Sequence, residues 1–351
     1  METFIKINGR EIGLTKSVYI IAEISANHHH DYEQTVKMIE AAKEAGADAV
    51  KVQTYTADTL TIKSDSKYFQ IGGGTPWDKR NLYDLYQEAY MPWEWQPKLK
   101  AIADQLKIDF FSSAFDETAV DFLEKMNVPA YKIASFEIVD IPLIEKIAKT
   151  GKPLIISTGM ANESEVEDAV AAAKNAGATQ IALLKCTSAY PAPPEEMNLK
   201  AIPYLAQKFK VPVGLSDHTL GFEIPAIAVA LGASLVEKHF TLSRSISGPD
   251  SQFSLEPEEF KSLVNAVRTA EKALGEAKVQ MSQSEQKSQV FRRSLFTVKN
   301  IKAGDLFTKD NIRSIRPGYG LPPKYLESVL NLRAKKDIPS GTPLQWELIN
   351  K

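Results

Sequence analysis

Two histidines stand in short motifs that place an imidazole beside a carboxylate. His218 follows Asp217 in GLSDHT, and His239 lies two residues after Glu237 in VEKHFT. Imidazole suits divalent transition metals, and a catalytic metal keeps coordination positions open for water or substrate. The pair therefore predicts a metal site held by His218 and His239. A general acid or a hydrogen-bonded structural residue is the alternative for either ring taken alone.

Lysines and serines in other short motifs indicate a site for an anion. The lysines are Lys51 and Lys132, and the serines are Ser113, Ser135, Ser157 and Ser188. Ammonium groups match the charge of a phosphate or carboxylate, while hydroxyl groups bind its oxygens. Lys132 or Lys185 could instead form a Schiff base, as in an aldolase, and a buried structural ion pair is a third interpretation of each lysine.

Eight short apolar runs carry these residues. They cover residues 18–25, 49–55, 108–115, 130–136, 153–159, 181–188, 211–217 and 234–241. Each run is nearly continuous in hydrophobicity, as strands buried on both faces are, and helical patterns separate the runs. One predicted helix ends at Gly46, and another begins at Asn162 with Glu165 three residues later. Eight βα units favour a (β/α)8 TIM barrel, and the open doubly wound sheet is the alternative.

Polar residues cluster at the ends of the eight runs, whereas the starts of the runs are apolar. Active sites of such barrels lie at the carboxyl ends of the strands, so these ends predict one polar, ligand-binding mouth. Side chains two residues apart share a face of a strand. Lys51 should therefore point with Gln53, and Glu237 with His239, while Lys238 points the other way. Of the three consecutive histidines that follow the first run, His28 is expected to face inward.

One connection, from residue 55 to residue 107, is about twice the usual length for a βα connection. It is too rich in Trp and Tyr to be disordered. We expect helices over residues 83–90 and 93–106 and a lid over the barrel mouth. The alternative is a surface hairpin that packs on the side of the barrel or on a second subunit.

Composition changes after Gly275. Residues 276–290 are polar and read as a linker, and residues 291–351 combine short apolar runs with the turn signals AGD, RPGYG and PSGT. The sequence therefore predicts a barrel over residues 1–275 and a small, mostly β domain over residues 291–351.

Charge and cysteine content narrow the class of protein. The chain has 351 residues and a formal net charge of −2, which argues against a dedicated nucleic-acid binder. The single cysteine, Cys186, excludes an intrachain disulfide and fits a reducing compartment. The sequence shows neither a secretory signal nor the roughly 18 consecutive apolar residues that span a bilayer. We therefore expect a cytoplasmic protein that binds neither nucleic acid nor membrane.

A set of motifs, taken in order, resembles the sialic acid synthase family. They are IAEISANH (21–28), AVKVQT (49–54), FFSSAFD (110–116), YKIASFE (131–137), LIISTGM (154–160), LLKCTSAYPAP (183–193), GLSDHT (214–219), VEKHFT (236–241) and GPDSQFSLEP (248–257). RRSLF and IRPGYGLPP are similar to the antifreeze-protein-like (SAF) domain that is joined to that barrel. Within the family, WDKRNLYDLYQEAYMPWEW (77–95) is most similar to the pseudaminic acid synthase branch.

The resemblance implies a metal-dependent condensation of phosphoenolpyruvate with an N-acetylated amino sugar. For this branch the sugar is 2,4-diacetamido-2,4,6-trideoxy-L-altrose, and the products are pseudaminic acid and phosphate. An N-acetylneuraminate or legionaminate synthase acting on a related hexose is the alternative within the family. From the residues alone, a Schiff-base aldolase and a non-enzymatic carbohydrate-binding module also stay open.

The resemblance also implies roles for single residues. His218 and His239 match the ligands of a divalent metal, with Mn²⁺ expected and Mg²⁺ or Co²⁺ as alternatives. Glu23 matches an acidic residue near the reacting carbons, and we expect it to position or deprotonate the attacking water. The expected phosphoenolpyruvate-binding residues are Lys51, Ser113, Lys132, Ser135, Ser157, Ser188 and Ser216. The expected sugar-binding residues are Asn27, Gln53, Tyr190, Asp250 and Arg316.

Two further expectations concern a neighbouring residue and a partner. Asp217 is expected to orient His218. Arg316 matches an arginine that the small domain contributes to the sugar pocket of a partner subunit, so the resemblance implies a domain-swapped homodimer. At two positions this sequence differs from other members of the family, because Ser113 and Ser188 stand where those members can carry Thr and Asn.

Overall fold

The computed structural model describes residues 3–350, which fall into two compact units. The first unit ends at Gly275 and the second begins at Glu276. None of the helices within residues 3–350 is long and apolar enough to cross a membrane.

An antiparallel hairpin, β1 (Phe4–Ile7) and β2 (Arg10–Gly13), precedes the barrel. Asn8 and Gly9 between the strands both have positive φ, which is the turn that an Asn-Gly pair favours. The hairpin side chains Ile5, Ile7 and Ile12 are fully buried. They belong to the same apolar cluster as Tyr19, the first residue of the first barrel strand. The hairpin therefore closes the amino-terminal end of the barrel and leaves the carboxyl ends of the strands to form the mouth.

Eight parallel strands close into a barrel, which confirms the predicted TIM barrel. They are β3 (Tyr19–Glu23), β4 (Ala49–Thr54), β5 (Asp109–Ala114), β6 (Tyr131–Ile133), β7 (Leu154–Ser157), β8 (Ile181–Cys186), β9 (Val213–Asp217) and β10 (Leu235–His239). Each strand lies within one of the eight apolar runs. Pairing of β10 with β3 closes the sheet and sets His239 opposite Glu23.

Ten helices belong to the barrel unit within the described residues. They are α1 (Tyr32–Ala45), α2 (Ala57–Leu60), α3 (Leu82–Ala89), α4 (Gln96–Leu106), α5 (Glu117–Lys125), α6 (Ile141–Ala148), α7 (Glu163–Asn175), α8 (Ala201–Phe209), α9 (Glu223–Ala230) and α10 (Pro257–Leu274). The predicted helix ends are confirmed. Gly46 ends α1 in the left-handed conformation at φ 94°, and Asn162 forms a capping box with Glu165 at the start of α7.

The second unit is small and built from short strands. Its elements are α11 (Gln283–Gln286), β11 (Ser294–Thr297), β12 (Ile312–Ile315), α12 (Leu326–Val329), β13 (Arg333–Ala334) and β14 (Ile349–Asn350). Strand β11 pairs with β12, and β13 pairs with β14, both antiparallel. A separate apolar cluster that includes Leu295 and Phe307 forms the core of this unit.

Candidate active site at the barrel mouth

Four buried charges from four strands meet at the carboxyl end of the barrel. Lys51 Nζ lies 2.6 Å from Glu23 Oε2 and 3.7 Å from Glu237 Oε1. Lys132 Nζ lies 3.0 Å from the same oxygen of Glu237. All four side chains are at most 6% exposed, and charges so deeply buried are stable only when they are paired. We refer to Glu23, Lys51, Lys132 and Glu237 as the charge cluster.

The members of the charge cluster differ in how firmly they hold their charge. Burial raises the pKa of Glu23, although Lys51 opposes the rise. Burial lowers the pKa of Lys132, and Glu237 offsets this only in part. Burial also acts to lower the pKa of Lys51, but Glu23 and Glu237 outweigh it, so that this pKa lies above its ordinary value. Lys51 is therefore the firmest cation of the cluster, and Glu23 is a carboxylate able to take up a proton.

The predicted serines lie around the two lysines. Lys51 Nζ donates to Ser113 Oγ at 3.1 Å, and Ser216 Oγ donates to Glu237 Oε1 at 3.1 Å. Ser157 Oγ is buried and has no hydrogen-bond partner within the described part of the chain. An unsatisfied buried hydroxyl is costly, so this group is suited to accept or donate a hydrogen bond when a ligand binds.

Gly159 brings two more of the serines together. Ser135 Oγ accepts a hydrogen bond from the Gly159 amide at 3.2 Å. A Cβ atom at position 159 would lie 2.2 Å from Ser188 Oγ and 2.6 Å from Ser135 Oγ, so only glycine leaves room for both hydroxyls. The backbone after β7 therefore packs directly against Ser135 and Ser188.

The two histidines lie side by side, as the metal interpretation requires. The His218 and His239 ring centroids are 5.4 Å apart. His218 Nδ1 faces the Thr187 carbonyl at 2.9 Å, which leaves Nε2 for a ligand, and His239 Nδ1 is buried with no hydrogen-bond partner among residues 3–350. Burial lowers the pKa of His239 well below its ordinary value, so this ring is neutral, as a ligand must be.

The donor set around these rings is small. No group of three or more His, Cys, Asp or Glu side chains in the described residues is arranged to hold a metal ion. Two neighbouring imidazoles fit a divalent transition metal whose remaining positions go to water and substrate.

Asp217 lies elsewhere than expected. Its carboxylate pairs with Lys238 Nζ at 2.6 Å and accepts hydrogen bonds from the amide and hydroxyl of Thr219. The Nδ1 atom of His218 faces the Thr187 carbonyl instead. Asp217 therefore does not orient His218 through a hydrogen bond. Strand alternation explains the difference, because Asp217 and Lys238 point away from the barrel interior that Ser216 and Glu237 face.

A second polar chain leads from Glu23 toward the loop after β10. Gln53 Nε2 donates to Glu23 Oε1 at 3.0 Å and to Ser25 Oγ at 2.9 Å, and Ser25 Oγ donates to Asp250 Oδ2. Gln53 and Asp250, both expected to bind sugar, therefore share one hydrogen-bond chain. Asn27 is different: it is fully buried, and its amide donates to Phe240 O and Ser254 Oγ. Its Oδ1 atom is buried with no hydrogen-bond partner among residues 3–350, as Ser157 Oγ is, so sugar binding by Asn27 stays a prediction.

An aromatic wall lies on the histidine side of the mouth. The ring of Tyr190 is centred 4.3 Å from that of His218 and 5.1 Å from that of Phe253. Trp77 lies 5.4 Å beyond Tyr190, on the connection between β4 and β5. We call Trp77, Tyr190 and Phe253 the aromatic wall. Its geometry places part of the long connection at the mouth, in the manner of the expected lid.

Two of the three consecutive histidines contact the helix α3 of the long connection. His28 is fully buried, and its Nε2 pairs with the Ala89 carbonyl at 3.2 Å. His30 Nε2 pairs with the Glu88 carbonyl at 3.0 Å. Both carbonyls belong to the last turn of α3, where backbone acceptors lack partners within the helix. His28 therefore faces the helix of the long connection and not the metal site.

Sequence reasoning left several residues of the mouth without a role. The sequence predicts that Glu237 lies on the inner face of β10, but not that it bridges Lys51 and Lys132. It also does not predict that Ser25 links Gln53 to Asp250. Cys186 Sγ lies 3.9 Å from His218 Nδ1. Strand alternation was the signal for Glu237, whereas nothing in the local sequence shows which loop residues contact one another. Arg316 belongs to the second unit, directly after β12, and is exposed.

Comparison with known proteins agrees with the fold. The family model for the NeuB family matches residues 38–279, and that for the SAF domain matches residues 292–350. The chain belongs to the NeuB family. It is an enzyme of this synthase family, as the motifs predicted, with a SAF domain at its carboxyl end.

Two named relatives align with almost the whole length of this chain. Pseudaminic acid synthase of Campylobacter jejuni is 49% identical over 94% of this chain and 96% of its own length. The Helicobacter pylori pseudaminic acid synthase is 45% identical over 95% of this chain and 98% of its own length. A crystal structure of N-acetylneuraminic acid synthetase from Leptospira borgpetersenii matches with TM-score 0.73 at 34% identity, covering 82% of this chain and 95% of that one.

Proposed function

We propose that this enzyme is a pseudaminic acid synthase. It condenses phosphoenolpyruvate with 2,4-diacetamido-2,4,6-trideoxy-L-altrose and releases pseudaminic acid and phosphate. The observation that carries the proposal is the 49% identity to the Campylobacter jejuni pseudaminic acid synthase over 94% of the chain. N,N'-diacetyllegionaminic acid synthases of Legionella pneumophila and Campylobacter jejuni are 39% and 40% identical.

The charge cluster and its serines suit phosphoenolpyruvate. Lys51 and Lys132 supply two ammonium groups for its phosphate and carboxylate, and hydroxyl groups surround them for the remaining oxygens. The carboxylates of Glu23 and Glu237 hold both ammonium groups in place before the substrate arrives. Such preorganisation lowers the entropic cost of binding.

His218 and His239 are the residues that would hold a divalent metal. When bound there, such an ion supplies Lewis-acid polarisation of the oxygen of the open-chain sugar aldehyde. The aromatic wall beside these rings offers a surface for the sugar. Gln53 and Asp250 offer polar groups on the side of the mouth next to Glu23.

The reaction forms one carbon–carbon bond and breaks one carbon–oxygen bond. C3 of phosphoenolpyruvate attacks the aldehyde carbon, and positive charge develops at C2. Water then adds to C2. One of its protons ends on the oxygen of the former aldehyde and the other on the phosphate, which leaves with the bridging oxygen. We infer that Glu23 positions this water and takes up a proton from it. Three observations support this role: the carboxylate is buried, burial raises its pKa, and Gln53 donates a hydrogen bond to it.

The Schiff-base alternative requires an unpaired amine inside the mouth. Lys132 Nζ is paired with Glu237, and Lys185 Nζ bonds the Cys186 carbonyl and Thr187 Oγ1, close to its own strand. Borohydride treatment in the presence of pyruvate should therefore leave no lysine adduct. An adduct on either lysine would favour the aldolase.

The deciding experiment measures phosphate release from phosphoenolpyruvate with Mn²⁺ and a panel of sugars. The panel contains the 2,4-diacetamido-2,4,6-trideoxy-L-altrose, its legionaminate-type isomer and N-acetylmannosamine. We expect the highest kcat/KM for the altrose sugar and no activity with a chelator. A preference for another sugar would replace the proposed substrate, and full activity of the metal-free enzyme would exclude the metal.

We also propose a domain-swapped homodimer in which Arg316 of one subunit reaches the sugar pocket of the other. Exposed apolar side chains after three barrel strands support a partner surface at the mouth: Phe136, Met160 and Leu220 are about 60% exposed. Mixing inactive Arg316→Ala and His218→Ala proteins tests the exchange. Recovery of activity in the mixture would support the swap, and its absence after subunit exchange would exclude it.

A further inference from the structure

Trp77 lies one aromatic ring away from the candidate metal ligands. Its indole is centred 5.4 Å from the ring of Tyr190, which in turn is centred 4.3 Å from that of His218. Trp77 comes from the long connection between β4 and β5. Its Nε1 donates at 2.9 Å to the carbonyl of Pro249, in the loop that follows β10. The indole thus joins two loops at the edge of the mouth.

The loop around Trp77 is held by its own hydrogen bonds. The amide of Ile71 donates to the Arg80 carbonyl, and the amide of Lys79 donates to the Ile71 carbonyl, both at 2.9 Å. Asp78 accepts from the amides of Gly74 and Thr75, and these bonds lower the pKa of Asp78. These bonds fix the backbone on both sides of Trp77, and the bond to Pro249 fixes its indole.

The surface that this indole presents is apolar. Its one polar atom, Nε1, is used by Pro249, so the ring offers no further donor, and it has no acceptor. Tyr190 and Phe253 continue the same wall, with ring centroids 5.1 Å apart. The charge cluster supplies polar groups at the same mouth, since Glu23 pairs with His239 in the barrel register and the His239 ring lies 5.0 Å from that of Phe253. A ligand that contacts both the charge cluster and the aromatic wall should turn a hydrocarbon group toward the wall. A hydroxyl group placed there would lose its hydrogen bonds to water and find no new partner.

We propose that Trp77 determines the sugar specificity of this enzyme by packing against the methyl group of a 6-deoxy sugar. The inference rests on the proposed function for the identity of that sugar. An apolar pocket discriminates between a methyl group and its hydroxylated counterpart by about 10- to 100-fold. The 6-hydroxy counterpart, 2,4-diacetamido-2,4-dideoxy-L-altrose, is therefore the sugar that Trp77 disfavours.

The test compares kcat/KM for these two sugars in four proteins. They are the wild type, Trp77→Ala, Trp77→Phe and, as the control, Tyr68→Ala, which removes a 79% exposed aromatic ring from the same connection. We expect the wild type to prefer the 6-deoxy sugar by roughly 10-fold or more. Trp77→Ala should lose this preference, chiefly through a higher KM for the 6-deoxy sugar, and should keep the KM for phosphoenolpyruvate. Trp77→Phe should retain most of the preference, and Tyr68→Ala all of it.

The outcomes separate this inference from the proposed function. If Trp77→Ala lowers kcat/KM equally for both sugars, so that their ratio is unchanged, the specificity role is wrong while the proposed function stands. A loss of preference in Tyr68→Ala would also contradict it, because that ring lies outside the aromatic wall. If the wild type releases phosphate with neither sugar, the proposed function fails and the inference fails with it.

Discussion

Replacing Glu23 by Gln is the sharpest test of the proposed chemistry. Gln has nearly the same shape but cannot take up a proton from water. Loss of a general base costs about 10²- to 10⁴-fold in rate, which corresponds to roughly 3–5 kcal/mol of transition-state stabilisation. Lys51 would keep Ser113 at 3.1 Å and Glu237 at 3.7 Å, so the anion site should persist. We expect kcat to fall by at least ~10² and the KM for phosphoenolpyruvate to change little.

Steady-state phosphate release gives kcat, and quenching of tryptophan fluorescence by phosphoenolpyruvate gives binding. Breaking a buried ion pair can destabilise a protein by about 3–5 kcal/mol, so thermal unfolding must show that Glu23→Gln is folded at the assay temperature. Gln53→Ala is the matched control, since it removes a hydrogen bond to Glu23 but keeps the carboxylate. Its loss of kcat should be smaller. A folded Glu23→Gln enzyme with unchanged kcat would remove Glu23 from the mechanism.

Three further predictions concern the metal ligand His239, the buried ion pair of Lys238 with Asp217, and His28, which contacts the last turn of α3. His239→Ala should abolish Mn²⁺ binding measured by electron paramagnetic resonance, and unchanged binding would refute the two-histidine site. Lys238→Met should lower the free energy of unfolding in urea by about 3–5 kcal/mol, because it leaves the buried Asp217 carboxylate without its partner. The double variant Lys238→Met, Asp217→Asn should recover part of this lost stability, and its kcat should differ little from that of the wild type. Burial lowers the pKa of His28 from 6.5 to about 4. The free energy of unfolding should therefore fall by roughly 3 kcal/mol as the pH drops between these two values, because only the unfolded chain then binds a proton at this ring. The fall should be smaller in His28→Gln.

The barrel and much of its mouth could be predicted because both depend on strand patterns. Continuous apolar runs mark strands that are buried on both faces, and alternation along β4 and β10 placed Lys51, Gln53 and Glu237 toward the interior. The outward direction of Lys238 was predicted in the same way and is confirmed by its pair with Asp217. These inferences need only the local geometry of a strand.

Contacts between loops could not be predicted in this way. The orientation proposed for Asp217 is wrong because Asp217 still belongs to β9 and follows its alternation. The hydrogen bond from Asn27 to Ser254 joins two segments far apart in the sequence, and no local pattern indicates it. The rings of His28 and His30 meet carbonyls of α3 that lie about sixty residues away, and no local pattern indicates these contacts. The hairpin β1–β2 was missed, although the Asn8-Gly9 pair was an available signal.

Closure of the barrel by β10 against β3 has a consequence for biosynthesis. The first and last strands of the barrel are neighbours, and Glu23 and His239 sit opposite each other across that seam. A growing chain therefore has two open strand edges until β10 emerges from the ribosome, and open edges invite intermolecular pairing. A chain truncated before β10 should therefore aggregate, and it should not fold into an enzyme of lower activity. It would lack the last strand of the barrel and the His239 side chain that this strand brings to the mouth.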